Sequence, residues 1–175
     1  MEIKILDWIQ TLRTPVGDQL MCFITSVGNA GMIWIAFTII LLLIPKTRKT
    51  GVIITASLVI NTILVNLILK NVVGRIRPCD VNTTIQLLIA RPTDYSFPSG
   101  HTSMAVTVVT ALFLVGQKKL GWPALVLAVL IAFSRMYLYV HYPTDILGGA
   151  IVGILCGFAG KWFVDFVLRK KQKQL

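Results

Sequence analysis

The sequence predicts an all-α integral membrane bundle of five transmembrane helices, or six, preceded by an amphipathic segment at the membrane interface. Three observations carry this expectation. Hydrophobic residues fill 55% of the 175 positions and charged residues only 14%, with a mean hydropathy of +0.78. A soluble core of one domain does not need so much apolar sequence. Several apolar runs approach the roughly 20 residues that a helix needs to cross a hydrocarbon core. Much of the net charge of +10 sits in short clusters beside those runs: KTRK at 46–49, QKK at 117–119 and RKKQK at 169–173. Such clusters mark cytoplasmic loops under the positive-inside rule. No nucleic-acid module accompanies them, so a nucleic-acid partner is excluded in favour of the lipid bilayer. The chain reads as one domain, 1–175, with its motif-bearing core at 51–168.

Taken in order, the first element is MEIKILDWIQTLRTP, with apolar residues at Ile3, Ile5, Leu6, Ile9 and Leu12 and two acids. That pattern suits a helix lying along the membrane surface, not the basic-then-apolar layout of a cleaved leader. Residues 1–27 are expected to be largely interfacial. MIWIAFTIILLLI at 32–44 enters the membrane, but Gly28-Asn29-Ala30-Gly31 interrupts the run before it. One kinked crossing gives five spans and two short helices give six; five is the preferred count. Spanning helices follow at 51–70, 99–116, 121–140 (introduced by Gly121-Trp122-Pro123) and 145–168. In the last of these, Gly149, Gly153 and Gly157 recur every fourth position, with Gly160 beyond. Such a stripe lets a neighbouring helix of the bundle approach closely. Asn61 and Asn66 are read as interhelical hydrogen-bond partners. Cys22, Cys79 and Cys156 are scattered and odd in number, which argues for neither a disulfide nor a metal.

If the basic clusters are cytoplasmic, the opposite ends of the helices share one face. That face receives Lys70–Pro78, Pro98–His101 and Arg135–Asp145 together. In LKNVVGRIRPCD (69–80), Lys70 and Arg77 are seven apart, so one helix face could present both. Alone they could be snorkelling anchors. In FPSGH, Ser99 is a good N-cap, and Gly100 and His101 fall in a first turn whose free N–H groups suit a phosphate. Glycine lets an anion approach the backbone closely. Alone this is an ordinary cap beside a surface histidine. In SRMYLYVHYPTDILGG (134–149), Pro143 suits the first turn of the final helix. Asp145 can then reach back to His141, fix its tautomer and leave the other ring nitrogen free to attack. Arg135 offers a guanidinium fork for phosphate.

Together these features outweigh the plain readings. The chain has two histidines, and both fall in these clusters with three cations and one orienting carboxylate. A nucleophile, an acid and a site for a dianion fit phosphoryl transfer through a phosphohistidine.

Lys70-x6-Arg77-Pro78, Pro98-Ser99-Gly100-His101 and Ser134-Arg135-x5-His141-x3-Asp145 resemble the three signature motifs of the type 2 phosphatidic acid phosphatases. These are the membrane lipid-phosphatase branch of a superfamily that includes vanadium haloperoxidases. All three motifs are complete and in order. The resemblance implies a helical bundle, catalysis without a metal or other cofactor, and specific roles. His141 would be the nucleophile and Asp145 its orienting base. Lys70, Arg77 and Arg135, with Ser99 and the Gly100 amide, would hold the phosphate. His101 would protonate the leaving oxygen.

The substrate expected is a lipid phosphate already in the bilayer. Undecaprenyl diphosphate is the first choice, ahead of phosphatidylglycerol phosphate, phosphatidic acid and lipid A phosphates. The loop at 79–97 would form the lip of the site, with Arg75 and Arg91 as further substrate contacts. A headgroup-binding or transport bundle is the competing class; it needs the cations but not the paired histidine and aspartate. A soluble haloperoxidase lacks a soluble scaffold here. The expected location is a bacterial cytoplasmic membrane with the site on its outer face. The oligomeric state is left open.

Overall fold

Apolar runs in a lipid environment must satisfy their own backbone hydrogen bonds, and helices are the local way to do so. The computed structural model describes residues 1–172, and among these it contains helices and loops but no strand. Lys173, in the basic tail read from the sequence, lies outside the described residues. The order is α1 (Glu2–Thr11), α2 (Pro15–Val27), a 3₁₀ turn (Asn29–Gly31), α3 (Met32–Leu43) and α4 (Arg48–Thr62). A π-helical segment (Ile63–Leu69) then leads into α5 (Lys70–Val73), α6 (Pro78–Val81), α7 (Gly100–Leu114), α8 (Lys118–Tyr137) and α9 (Pro143–Gln172).

Three stretches are long and apolar enough to cross a membrane: Arg48–Val81, Lys118–Tyr137 and Pro143–Gln172. The pair α2 and α3 would make a fourth as one broken span; it bends by 46° at the Gly28–Gly31 interruption. Helix α7 is apolar but shorter, at 15 residues.

Two boundaries differ from the sequence reading. Gly121-Trp122-Pro123 lies inside α8, which starts at Lys118. Pro123 is close enough to the start that it forfeits only the bond to the Lys119 carbonyl. Gly121 meanwhile makes room for Phe113, whose ring meets Trp122 edge-on at 5.3 Å. Lys70 and Arg77 also do not share one helix. Gly74, at φ +60, ends α5, and Arg77 enters from an extended segment beyond it.

The glycine stripe packs within the bundle, as expected. A Cβ on Gly149 would lie 2.7 Å from the Ser99 carbonyl oxygen, and one on Gly153 2.6 Å from that of Ser103. Helix α9 therefore lies backbone to backbone against α7, and Gly160 brings it against Ser57 of α4. Asn61 bridges α4 to α7, donating to Ser103 and, at 3.1 Å, to Thr107. Asn66 instead faces the pocket described below. At the other end of the bundle, Asp165 of α9 pairs with Lys49 at 3.5 Å and Lys161 at 2.5 Å. This joins the 46–49 cluster to the basic end of α9, away from the three motifs.

Gly153→Val should destabilise the bundle by about 1–3 kcal/mol, because a backbone carbonyl cannot move aside as a side chain can. Thermal melts in detergent would check this, with the exposed Ile151→Val as a control expected to be neutral.

Candidate active site

The site lies where α5 ends, α7 begins and α8 hands over to α9. A cavity of about 230 Å³ opens there, lined by Lys70, Arg77, Gly100, His101, Arg135 and His141, with Asn66, Pro92 and Asp94 among its other walls. Local structure aims each group. The π-helical turn widens the helix just before Lys70, a distortion often found at functional sites. Helix α8 closes in a Schellman-type turn, with the Val140 N–H reaching the Arg135 carbonyl at 3.1 Å. Tyr139 takes the left-handed position, φ +60, where glycine is usual. That turn carries the chain from Arg135 to His141.

His141 is 1% exposed and is held from both sides. Its Nδ1 faces Asp145 Oδ2 at 3.4 Å, and its Nε2 faces Arg77 Nη1 at 3.2 Å. A guanidinium can only donate, so Nε2 keeps its lone pair and Nδ1 carries the proton. Burial pushes the imidazolium form down to about 3; Asp145 opposes that shift, and the charges of Arg77 and Arg135 add to it. The resting ring is neutral, the form a nucleophile requires.

Asp145 is fully buried and well supplied with donors. Ser96 donates to Oδ2, the Tyr142 amide donates to Oδ2 at 2.9 Å, and Arg75 donates to Oδ1 at 2.7 Å. Ser99 caps α7, accepting from the Thr102 amide at 3.4 Å and the Thr102 hydroxyl at 3.0 Å, while its own amide donates to the Asp145 carbonyl at 3.0 Å. Its hydroxyl is buried beneath the cavity rather than lining it. Gly100 does line it: a Cβ there would stand 3.9 Å from Lys70 Nζ. His101 Nε2 meets Asn29 Oδ1 at 3.2 Å.

The three cations are nearly inaccessible. Arg77 is anchored by the Val140 carbonyl at 2.7 Å and the Asp94 carbonyl at 2.8 Å. Arg135 donates through Nη1 to Thr25, but its buried Nε–H has no partner among the described residues. A buried, unmatched donor at a cavity wall invites an anionic oxygen. Asp94 already supplies such oxygens to the other two cations, pairing with Lys70 and, at 2.7 Å, with Arg77. Burial acts to raise this carboxyl, but Lys70 and Arg77 outweigh it and hold Asp94 down to about 2.

The sequence-read residues Lys70, Arg77, Gly100, His101, Arg135 and His141 thus meet at one cavity, with Asp145 and Ser99 directly behind it. Arg75 and Arg91 do not line it. Arg75 turns away to Asp145 and Glu2, and Arg91 pairs with Asp80 at 2.7 Å on the outer surface. Sequence reasoning missed Asp94, Ser96, Asn29 and Thr25. They lie in loops, a helix break and a helix face with no periodic or motif signal to single them out.

With this geometry in view, comparison with known proteins is decisive. Residues 50–169 match the model of the PAP2 superfamily. The chain belongs to that family. It is 35% identical over 141 residues to the undecaprenyl-diphosphatase of Sulfolobus acidocaldarius, covering 81% of this chain and 68% of that one. It is 35% identical over 173 residues to phosphatidylglycerophosphatase B of Bacillus subtilis, covering 93% and 82%. Among solved structures, Aquifex aeolicus LpxE superposes with a TM-score of 0.79 at 28% identity, covering 91% of this chain and 93% of that one.

The depressed imidazole makes a direct prediction. In a His101→Gln variant, His141 is the sole histidine, and its ring ¹⁵N shifts should remain those of the neutral tautomer down to about pH 5. A protonation midpoint near the free-imidazole value of about 6.5 would contradict the described burial.

Proposed function

We propose that this PAP2 protein is an integral membrane phosphatase that removes phosphate from a lipid headgroup through a phosphohistidine at His141. The observation that carries this reading is His141 itself: neutral, buried, oriented by Asp145 through Nδ1, with Nε2 turned toward a cavity walled by Lys70, Arg77 and Arg135. A headgroup-binding or transport bundle would use the cations but has no need of that oriented imidazole.

In the first step His141 Nε2 attacks phosphorus as the bond to the lipid oxygen breaks, and His101 gives that oxygen a proton. In the second, His101 takes a proton from water as the water oxygen attacks the phosphohistidine, and inorganic phosphate leaves with Nε2 restored. The three cations stabilise the equatorial oxygens throughout. They supply the charge that other phosphatases draw from metal ions, so the proposed reaction uses none.

Undecaprenyl diphosphate is the first substrate to test, on the strength of the name of the Sulfolobus relative. Phosphatidylglycerol phosphate is the second, because the Bacillus relative named for it matches more of this chain at the same identity. For topology we propose five spans: the bent α2–α3 pair, the stretch from α4 to α6, α7, α8 and α9; this takes residues 15–27 out of the interface expected for them and leaves only α1 there. The joined basic clusters at one end would be cytoplasmic and the site extracytoplasmic, in a bacterial plasma membrane.

Purified protein should release phosphate from a panel of lipid phosphates, and His141→Ala should abolish release. Wild-type rates in that variant would refute the mechanism. Orthovanadate should inhibit and EDTA should not; inhibition by EDTA that Mg²⁺ reverses would overturn the metal-free chemistry.

An incoming phosphate must also compete with Asp94 for Lys70 and Arg77. Asp94→Asn should therefore tighten orthovanadate inhibition by about tenfold, the scale of one displaced ionic contact. Weakened inhibition would instead mean that Asp94 holds the cations in place for the ligand.

A further inference from the structure

Helix α1 carries no motif residue, yet its polar side chains reach both flanks of His141. Glu2 Oε1 accepts from the Thr144 amide at 3.1 Å and the Thr144 hydroxyl at 2.6 Å, in the first turn of α9. Glu2 Oε2 pairs with Arg75 Nη2 at 2.5 Å. The other arm of Arg75, Nη1, meets Asp145 Oδ1 at 2.7 Å and Thr144 Oγ1 at 2.6 Å. Its guanidinium also lies 3.9 Å over the Tyr142 ring. On the other flank, Asp7 accepts from the Tyr139 hydroxyl at 2.6 Å, and Gln10 donates to the Tyr137 carbonyl at 2.8 Å. Between these polar ties, Leu6 and Ile9 are buried against Leu138 and Val140. Ile5, Trp8 and Leu12 stay exposed on the opposite side, where lipid would be.

We infer that α1 is a clamp on the catalytic pair, with Arg75 as its positioning residue: Glu2 sets Arg75, Arg75 sets the Asp145 carboxylate against His141, and Asp7 secures the Tyr139 turn that delivers His141. The physical case is one of unmet demand. Oδ2 of Asp145 has neutral donors and His141, but Oδ1 has Arg75 as its ionic partner. Without Arg75, a carboxylate with no solvent access has one oxygen unsatisfied, and it can rotate to share its remaining donors. The Nδ1 contact, already 3.4 Å, is the one that suffers. The Tyr139 turn has a parallel weakness. A non-glycine residue at φ +60 is held only by its surroundings, and its hydroxyl is tied to Asp7. The same tie explains why Arg75, expected from sequence to touch substrate, faces away from the cavity.

The inference rests on His141 acting as nucleophile, and the test separates the two. Full-length wild type, Arg75→Gln, Arg75→Lys, Glu2→Gln, Glu2→Gln/Arg75→Gln and His141→Ala are assayed in detergent micelles. The substrate is whichever lipid phosphate the wild type hydrolyses, starting with undecaprenyl diphosphate, and orthovanadate is the binding probe. Arg75→Gln should lower kcat by about 10- to 100-fold, the usual scale for a residue that orients a reactive group. KM and the orthovanadate inhibition constant should stay within about twofold, because Lys70, Arg77 and Arg135 are untouched. Arg75→Lys should recover part of the loss. Glu2→Gln should lower kcat less, and adding it to Arg75→Gln should cost nothing further. A raised KM and weaker orthovanadate inhibition at unchanged kcat would overturn the clamp and make Arg75 a substrate contact. If Arg75→Gln does not fold, Glu2→Gln decides alone, and an unchanged kcat there overturns the clamp. Loss of turnover in His141→Ala with normal kcat in Arg75→Gln would refute the clamp and leave the phosphatase reading standing. A wild type inert toward every lipid phosphate would remove both.

Discussion

A carboxylate sealed from water is tolerable only when its lone pairs are met, and Asp145 is 0% exposed. The groups that meet it come from separate parts of the chain. Ser96 arrives from the loop before α7, Arg75 from the turn after α5, His141 from the turn after α8, and the Tyr142 amide from the start of α9. Satisfying one ion thus pins three chain segments against one another: the loop at Ser96, the turn at Arg75 and the stretch from His141 to Asp145. The close α7–α9 packing that brings Ser99 to the Asp145 carbonyl depends on glycines at the contact. The bundle's packing and the site's geometry are therefore one problem with one solution.

The same economy shapes the cation wall. Lys70, Arg77 and Arg135 are each buried beyond nine-tenths, and like charges so placed repel. Asp94 relieves two of them, while Arg135 keeps an unmatched Nε–H. A phosphate dianion would relieve all three at once. The cavity wall thus concentrates positive charge that its own aspartate offsets only in part.

What the sequence made legible followed from spacing and composition. The apolar runs marked the helices, the every-fourth glycines marked the close contact of α9, and the three motifs marked the residues that meet at the cavity. What it hid was set by features without a period. The π-helical turn before Lys70, the end of α5 at Gly74 and the interior position of Pro123 all shift a boundary or a facing by a few residues. Asp94 and Ser96 work from an irregular loop, where position follows from the folded site and not from local pattern. Arg75 shows the limit most clearly. A basic residue two positions from Arg77 resembles another substrate contact, and only the fold shows that it points to Asp145. Glu2 and Asp7 read as interfacial polar residues until α1 is seen to lie across the turn that carries His141.

In the proposed reaction, phosphate passes through His141. Rapid acid-free quenching of the wild type with a lipid substrate labelled at its terminal phosphate, followed by peptide mapping under alkaline conditions, tests it directly. A phosphohistidine at His141 would give acid-labile, alkali-stable label on the peptide containing His141, formed within the first turnover and absent from His141→Ala. Full turnover with no label on the protein, or label on a different residue, would contradict it.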